Sequence, residues 1–172
     1  YNTDYIAIAK LIDKYQLDKD MSVIVHGSGG MAKAVVAAFK NAGFARLKVF
    51  ARNAETGSHL AALYGYQYID SLDKQQADIL VNVTPIGMVG GKEEFDLSFP
   101  AEMIGQAKVA FDVVALPAET PLINYAKAQG KLTISGAEVI VLQAVEQFEL
   151  YTHQRPSDEL VAEAAAFARA NS

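Results

Sequence analysis

From His26 to Lys33 the chain reads His-Gly-Ser-Gly-Gly-Met-Ala-Lys, a spacing with a definite chemical use. Gly27, Gly29 and Ala32 fill the small-residue slots of a G-x-G-x-x-A turn, with Ser28, Gly30 and Met31 between them. The turn follows the β-branched run Val23-Ile24-Val25 and opens an alanine-rich helical stretch. Each slot has a physical reason. Gly27 permits a sharp turn off a strand, Gly29 lets backbone approach a pyrophosphate, and Ala32 lets the helix pack closely on a sheet. The free N–H groups at the helix start complement an anion. Residues Gly27 to Ala32 are therefore the candidate cofactor loop, and the ligand they predict is a dinucleotide.

In a unit of this kind the tip of the second strand chooses the nicotinamide cofactor: an acid binds a ribose 2′-hydroxyl, an arginine a 2′-phosphate. Here that tip is Ala51-Arg52-Asn53, with no acid, and Glu55 lies too far into the next helix. Arg52 offers a planar, permanently charged fork, and Asn53 a further hydrogen bond, so NADP is expected over NAD. Asp4 stands just before an amphipathic stretch, where an aspartate is more often an N-cap than a catalytic carboxylate. Gln143 interrupts the apolar run Val139 to Val145 and needs a partner, either backbone or a substrate hydroxyl. His26, His59 and His153 show no metal spacing and are expected in loops or on the surface. Tyr64, Tyr66 and Tyr68 are expected to pack. Asn82 to Met88 reads by itself as a plain Pro/Gly turn at a strand end. No metal site is expected.

The elements that must position these residues alternate. Candidate strands are 22–26, 45–50, 66–69, 79–83, 108–114 and 131–134; candidate helices are 4–16, 30–42, 54–64, 120–129, 137–151 and 158–170. Gly43 is placed to end the helix after the glycine turn in a left-handed conformation, and Thr120-Pro121 reads as an N-cap followed by proline at the first helical position. Residues 84–100 are the one long irregular stretch. Strands alternating with helices imply right-handed crossovers. The fold class is α/β, a Rossmann-type doubly wound parallel sheet with helices on both faces.

The 172 residues fit a single domain, residues 1–172, large enough to bury a core. The net charge is −5 and the basic residues form no stripe, which argues against nucleic acid as partner. There is no cysteine, hence no disulfide or thiol nucleophile. No apolar run approaches the ~20 residues of a membrane span, and a cytoplasmic location is the default expectation. The chain opens at Tyr1 inside what reads as a motif, so a longer parent protein is expected.

Taken in order, these segments resemble the shikimate dehydrogenase family, specifically its C-terminal NADP-binding domain. The family's Asn-Thr-Asp stands as Asn2-Thr3-Asp4, and its glycine loop as Gly27 to Ala32. Its Asn-Arg-Thr motif is matched only at Arg52, between Ala51 and Asn53. Asn-x-Thr-x-x-Gly-Met is intact from Asn82 to Met88, and Asp-x-x-Tyr-x-Pro-x-x-Thr-Pro-Leu runs from Asp112 to Leu122 with Ala115 in the tyrosine slot. Gly136 and the Gln-Ala-x-x-x-Phe run from Gln143 to Phe148 also fit. The resemblance implies NADPH-dependent reduction of 3-dehydroshikimate to shikimate, with a lysine–aspartate pair handling the proton. By resemblance Asp4 is that aspartate, Asn2, Thr3, Asp4 and Gln143 face substrate, and Val83, Thr84, Val113 and Gly136 join the cofactor residues. The lysine is expected in an N-terminal substrate domain of the same chain, about 100 residues long. Either a monomer or a homodimer is compatible. The changes at Ala51, Asn53 and Ala115 imply a divergent branch in which shikimate is secondary and a relative such as quinate is possible. A nucleotide-binding regulatory module without catalysis is the competing reading. A dehydrogenase with a folate-like substrate is disfavoured by the Gln143 segment and Thr120-Pro121-Leu122.

Overall fold

The computed structural model describes residues 2–170. In chain order its elements are α1 (Thr3–Lys14), β1 (Val23–His26), α2 (Gly30–Asn41), β2 (Leu47–Phe50), α3 (Ala54–Leu63), β3 (Gln67–Ile69), β4 (Ile79–Asn82), α4 (Ala101–Gln106), β5 (Val109–Asp112), α5 (Pro121–Ala128), β6 (Leu132–Ile134), α6 (Gly136–Thr152) and α7 (Asp158–Ala170). The six strands form one parallel sheet in the order β3-β2-β1-β4-β5-β6. The doubly wound α/β architecture is thus present, and every expected strand exists.

Alternation along the strands explains the layers. Val23, Val25, Val49, Val81 and Phe111 point to one face, where they pack with Leu11 of α1, Phe39 of α2 and Val139 of α6. Ile24, Leu80 and Ala110 point to the other, against Ile104 of α4 and Leu122 of α5. With both faces covered, each central strand is apolar throughout rather than alternating. All four residues of β1, β4 and β5 are buried.

The strand register aligns the carboxyl ends. His26 lies opposite both Phe50 and Asn82, and Asn82 opposite Asp112. That row forms the edge from which the loops carrying the candidate residues leave. Between β1 and β4 the strand order reverses, and in open sheets this is where ligands bind. Gly43 adopts the expected left-handed conformation, with φ +90°. Thr120 caps α5 with Pro121 in its first turn. Helix α4 was not expected: its six residues are too short to show a period, though Met103 and Ile104 are buried. Among the described residues no helix is long and apolar enough to cross a membrane.

Candidate functional site

The turn after β1 is built as its glycines demand. Gly27 has φ +133°, and a Cβ there would lie 2.8 Å from Val83 Cγ2 and 3.0 Å from the Val83 carbonyl oxygen. Its N–H donates to the Phe50 carbonyl (2.8 Å), and the Val83 N–H donates to the His26 carbonyl (2.9 Å). Gly27 and Val83 are therefore pressed together at the point where the strand order reverses. Beyond them the backbone opens: a Cβ on Gly29 or Gly30 would meet nothing within 4 Å. Helix α2 starts here without a side-chain cap and without an acid in its first turn. By contrast α1, α3 and α5 are capped by Asn2, Asn53 and Thr120. The bare N–H groups of α2, with their partial positive charge, suit the pyrophosphate of a dinucleotide. Ala32 is fully buried beneath them and Met31 packs on the same core. Ser28 Oγ is 2.7 Å from Thr56 Oγ1, tying the loop to α3. Ser28, Gly29, Gly30, Lys33, Thr56 and His59 help line an open groove of about 460 Å³.

At the tip of β2 the three candidate residues divide their work. Ala51 is buried, and its carbonyl accepts from the Tyr68 hydroxyl at 3.0 Å. Asn53, expected to reach a phosphate, uses its side-chain oxygen on the Thr56 N–H at 3.1 Å and so caps α3. Arg52 projects without capping a helix, its side chain 66% exposed. Its guanidinium is gripped on both sides by Glu93: Nη1 donates to Oε2 at 3.0 Å and Nη2 to Oε1. The guanidinium holds the Glu93 carboxyl below the usual carboxylate range. No sequence pattern linked these two residues; the only signal was an acidic pair, Glu93-Glu94, inside the long loop.

Asn82, Thr84 and Asp112 form a buried polar network across the ends of β4 and β5. Asn82 Nδ2 donates to Asp112 Oδ1 (3.1 Å) and to the Ile86 carbonyl (3.2 Å). Asn82 Oδ1 accepts from the Thr84 N–H (3.0 Å) and hydroxyl (2.6 Å). Asp112 also accepts from the Val114 N–H (3.0 Å) and the Thr120 hydroxyl (2.7 Å). Burial pushes the Asp112 carboxyl up to about 6 and outweighs its three donors, which pull the other way. The segment from Asn82 to Met88 is thus no plain turn. It is anchored by side chains to its neighbours.

His26 corrects an expectation. It is not in a loop but buried at the end of β1, its ring against Phe50 and Phe99. Nδ1 donates to the Ser98 carbonyl at 2.8 Å, fixing the far end of the loop that follows β4. Burial holds its pKa below the ordinary histidine value.

A second group lies between α1 and α6. Asp4 does not cap α1, contrary to expectation. The cap is Asn2, whose extended backbone precedes the helix and whose Oδ1 accepts from the N–H groups of Asp4 (3.0 Å) and Tyr5 (3.2 Å). Thr3 is the first helical residue and Asp4 lies in the first turn, half-buried. Its Oδ1 accepts from Gln143 Nε2 at 2.7 Å, across 139 residues of chain. Lys10 pairs with the buried Glu146, and Tyr15 donates to Glu138 at 2.6 Å, so the two helices are also joined by charge and hydrogen bonds. Gly136 opens α6 hard against the end of β5: a Cβ would lie 2.1 Å from the Val114 carbonyl oxygen and 2.4 Å from that of Val113. The Val113 N–H is held by the Asn82 carbonyl at 3.0 Å. Gln143 is seven residues from Gly136, roughly 10 Å along the helix.

The structure thus brings together Gly27 with Val83, Ser28 with the start of α3, Val113 with Gly136, and Asp4 with Gln143. Among the described residues no hydrogen bond joins the Asp4–Gln143 pair to the glycine turn, so these are two separate stations.

Comparison with known proteins places this architecture. No family model matches the chain. It is 77% identical over 169 residues to a shikimate dehydrogenase-like protein of Haemophilus influenzae, covering 98% of this chain and 62% of that protein. It is 30% identical over 170 residues to an NADP(+) shikimate dehydrogenase of Methanosphaera stadtmanae, covering 92% and 60%. Among solved structures, a shikimate 5-dehydrogenase-like protein superposes with a TM-score of 0.95 at 77% identity (98% and 63% covered). The Thermus thermophilus shikimate 5-dehydrogenase in complex with NADP(H) and shikimate gives 0.83 at 28% (97% and 62%). A quinate dehydrogenase of Corynebacterium glutamicum in complex with NAD gives 0.81 at 25% (98% and 62%). The chain spans about three fifths of the length of these curated relatives.

Proposed function

The chain belongs to the shikimate dehydrogenase family, and from that membership we propose that the protein is an NADP-dependent oxidoreductase acting on shikimate or a closely related cyclic hydroxy acid, with residues 1–172 forming its cofactor-binding part. The observation that carries this reading is the uncapped start of α2, opening through Gly29 and Gly30 onto free space where the strand order reverses. In this reading the α2 N–H groups hold a pyrophosphate and Arg52 takes the 2′-phosphate. Ala51 and Asn53 shape the tip of β2, and Val83, Thr84, Val113 and Gly136 flank the nicotinamide. Bound NADP(H) would carry the hydride.

The chain's own acid–base part falls to Asp4. Its carboxylate would hold the charge of a lysine contributed by a substrate domain earlier in the same protein, so that the lysine exchanges a proton with the substrate hydroxyl. Gln143, already fixed on Asp4, would spend its remaining amide atoms on substrate hydroxyls, with Asn2 and Thr3 beside it. The Asp4–Gln143 contact favours an enzyme over a purely regulatory nucleotide-binding module, which has no need of a positioned carboxylate. Ala115, in place of the family's phenol, favours a substrate other than shikimate as the main one.

The test is the appearance of NADPH when the full-length protein is given NADP+ with shikimate or with quinate. Turnover with at least one is expected, and quinate is expected to rival shikimate. Tight NADP+ binding with no oxidation of either acid would move the protein to the regulatory reading.

A further inference from the structure

We propose that Glu93 is a specificity-determining residue that competes with the cofactor's 2′-phosphate for Arg52. The inference rests on the reading of Arg52 given above. Arg52 is the one positive group at the tip of β2, and its fork is filled on both nitrogens by the Glu93 carboxylate. Carboxylate and phosphate recognise the same fork by the same bidentate geometry. They also repel each other, so both cannot hold it together.

Glu93 is placed by its backbone rather than by chance. Its carbonyl accepts from the N–H groups of Gly87 (2.9 Å) and Asp96 (3.2 Å), closing the loop on itself. The loop is further pinned by Val89 N–H donating to the Leu116 carbonyl (3.0 Å) and by His26 donating to Ser98. Gly90 N–H is taken by Glu94, and Asp96 adds only a lesser charge near Arg52, so Glu93 is the acid that fills its fork. A loop from β4 therefore delivers to the tip of β2 the carboxylate that the tip itself lacks. Such an acid can accept a ribose 2′-hydroxyl, the NAD contact, while a 2′-phosphate must displace it. Glu93 narrows the gap between the two cofactors, and Arg52 alone would open it.

Calorimetric titration of the full-length protein with NADP+ and with NAD+ tests this. Glu93→Gln is nearly isosteric at a half-exposed position and should leave the melting temperature near that of the parent; Glu93→Ala serves as a second variant. Both should bind NADP+ about tenfold more tightly and NAD+ no more tightly than the parent. Glu94→Gln, which changes the same charge in the same loop without touching Arg52, should behave as the parent. Unchanged NADP+ affinity in the Glu93 variants, equal tightening of both cofactors, or the same effect from Glu94→Gln would each overturn the proposal. Failure of the underlying reading has its own signature. Arg52→Ala would then weaken NADP+ and NAD+ alike, or the parent would bind neither, and the proposal would fall with it.

Discussion

Asp112 shows how a single buried residue sets a measurable property of the site. Three donors stabilise its ionised form, yet desolvation dominates and its pKa in the fold is about 6, against 3.8 for the free side chain. The folded state therefore binds this proton more tightly than the unfolded chain. The stability Asp112 contributes is fully present below about pH 4 and is lost as pH rises through 6. At neutral pH the ionised form costs up to about 3 kcal/mol. Asp112→Asn keeps the size and can still accept from Asn82 and Val114 while donating to Thr120. The melting temperature of the variant relative to the parent should accordingly climb between pH 4 and pH 7. His26 has a lowered pKa and pulls in the opposite direction, but it is present in both chains and cancels in the difference. A difference that does not change with pH would show that Asp112 is not titrating in this range. At this scale the sequence was only partly legible. His26 looked like a stray polar residue, although the last position of a central apolar strand, paired on both sides, had to be buried. Asn2 and Asp4 are both good caps, and only the backbone decides between them. Glu93 reaches Arg52 across 41 residues, which no local pattern records.

At the level of elements, the strands and most helices were visible because two-sided burial makes strands read as apolar runs, and because glycine, threonine and proline mark the helix ends. What the pattern could not supply is contact distance, and Gly136 is the example. In the sequence it stands just ahead of the expected helix 137–151 and is named only by resemblance, yet α6 packs so closely on the end of β5 that any Cβ would strike two backbone carbonyls. Backbone has no rotamer to yield, so the cost of Gly136→Ala should exceed the usual 1–3 kcal/mol of overpacking. Urea denaturation of Gly136→Ala checks this against the parent. Gly105→Ala makes a useful control, because Gly105 lies in α4 with open space where its Cβ would go. That control should be neutral or slightly stabilising by helix propensity. Equal stability of Gly136→Ala and the parent would mean that α6 is free to shift away from Val113 and Val114.

For the whole molecule, the proposed function divides the labour between the sheet edge and the α1–α6 pair: one station would hold the cofactor, the other would serve proton handling and substrate. Gln143 and Asp4 were each named from the sequence by resemblance, but only the fold joins them, since the hydrogen bond spans most of the chain. That contact makes Asp4 a sharp point of test. Asp4→Asn retains an oxygen to accept from Gln143, and Asn2 rather than Asp4 caps the helix, so the fold should lose no more than the ~0.3–1 kcal/mol of a first-turn charge. What the substitution removes is the negative charge that would hold the lysine. The decisive measurement is steady-state turnover of Asp4→Asn against the parent in the full-length protein, on whichever hydroxy acid proves active, with NADP+ affinity and melting temperature followed alongside. If Asp4 holds the lysine, turnover falls roughly 10²–10⁴-fold, the range for acid–base groups, with cofactor affinity and melting temperature nearly unchanged. Turnover equal to the parent's would contradict it and leave Asp4 a helix-surface carboxylate held by Gln143.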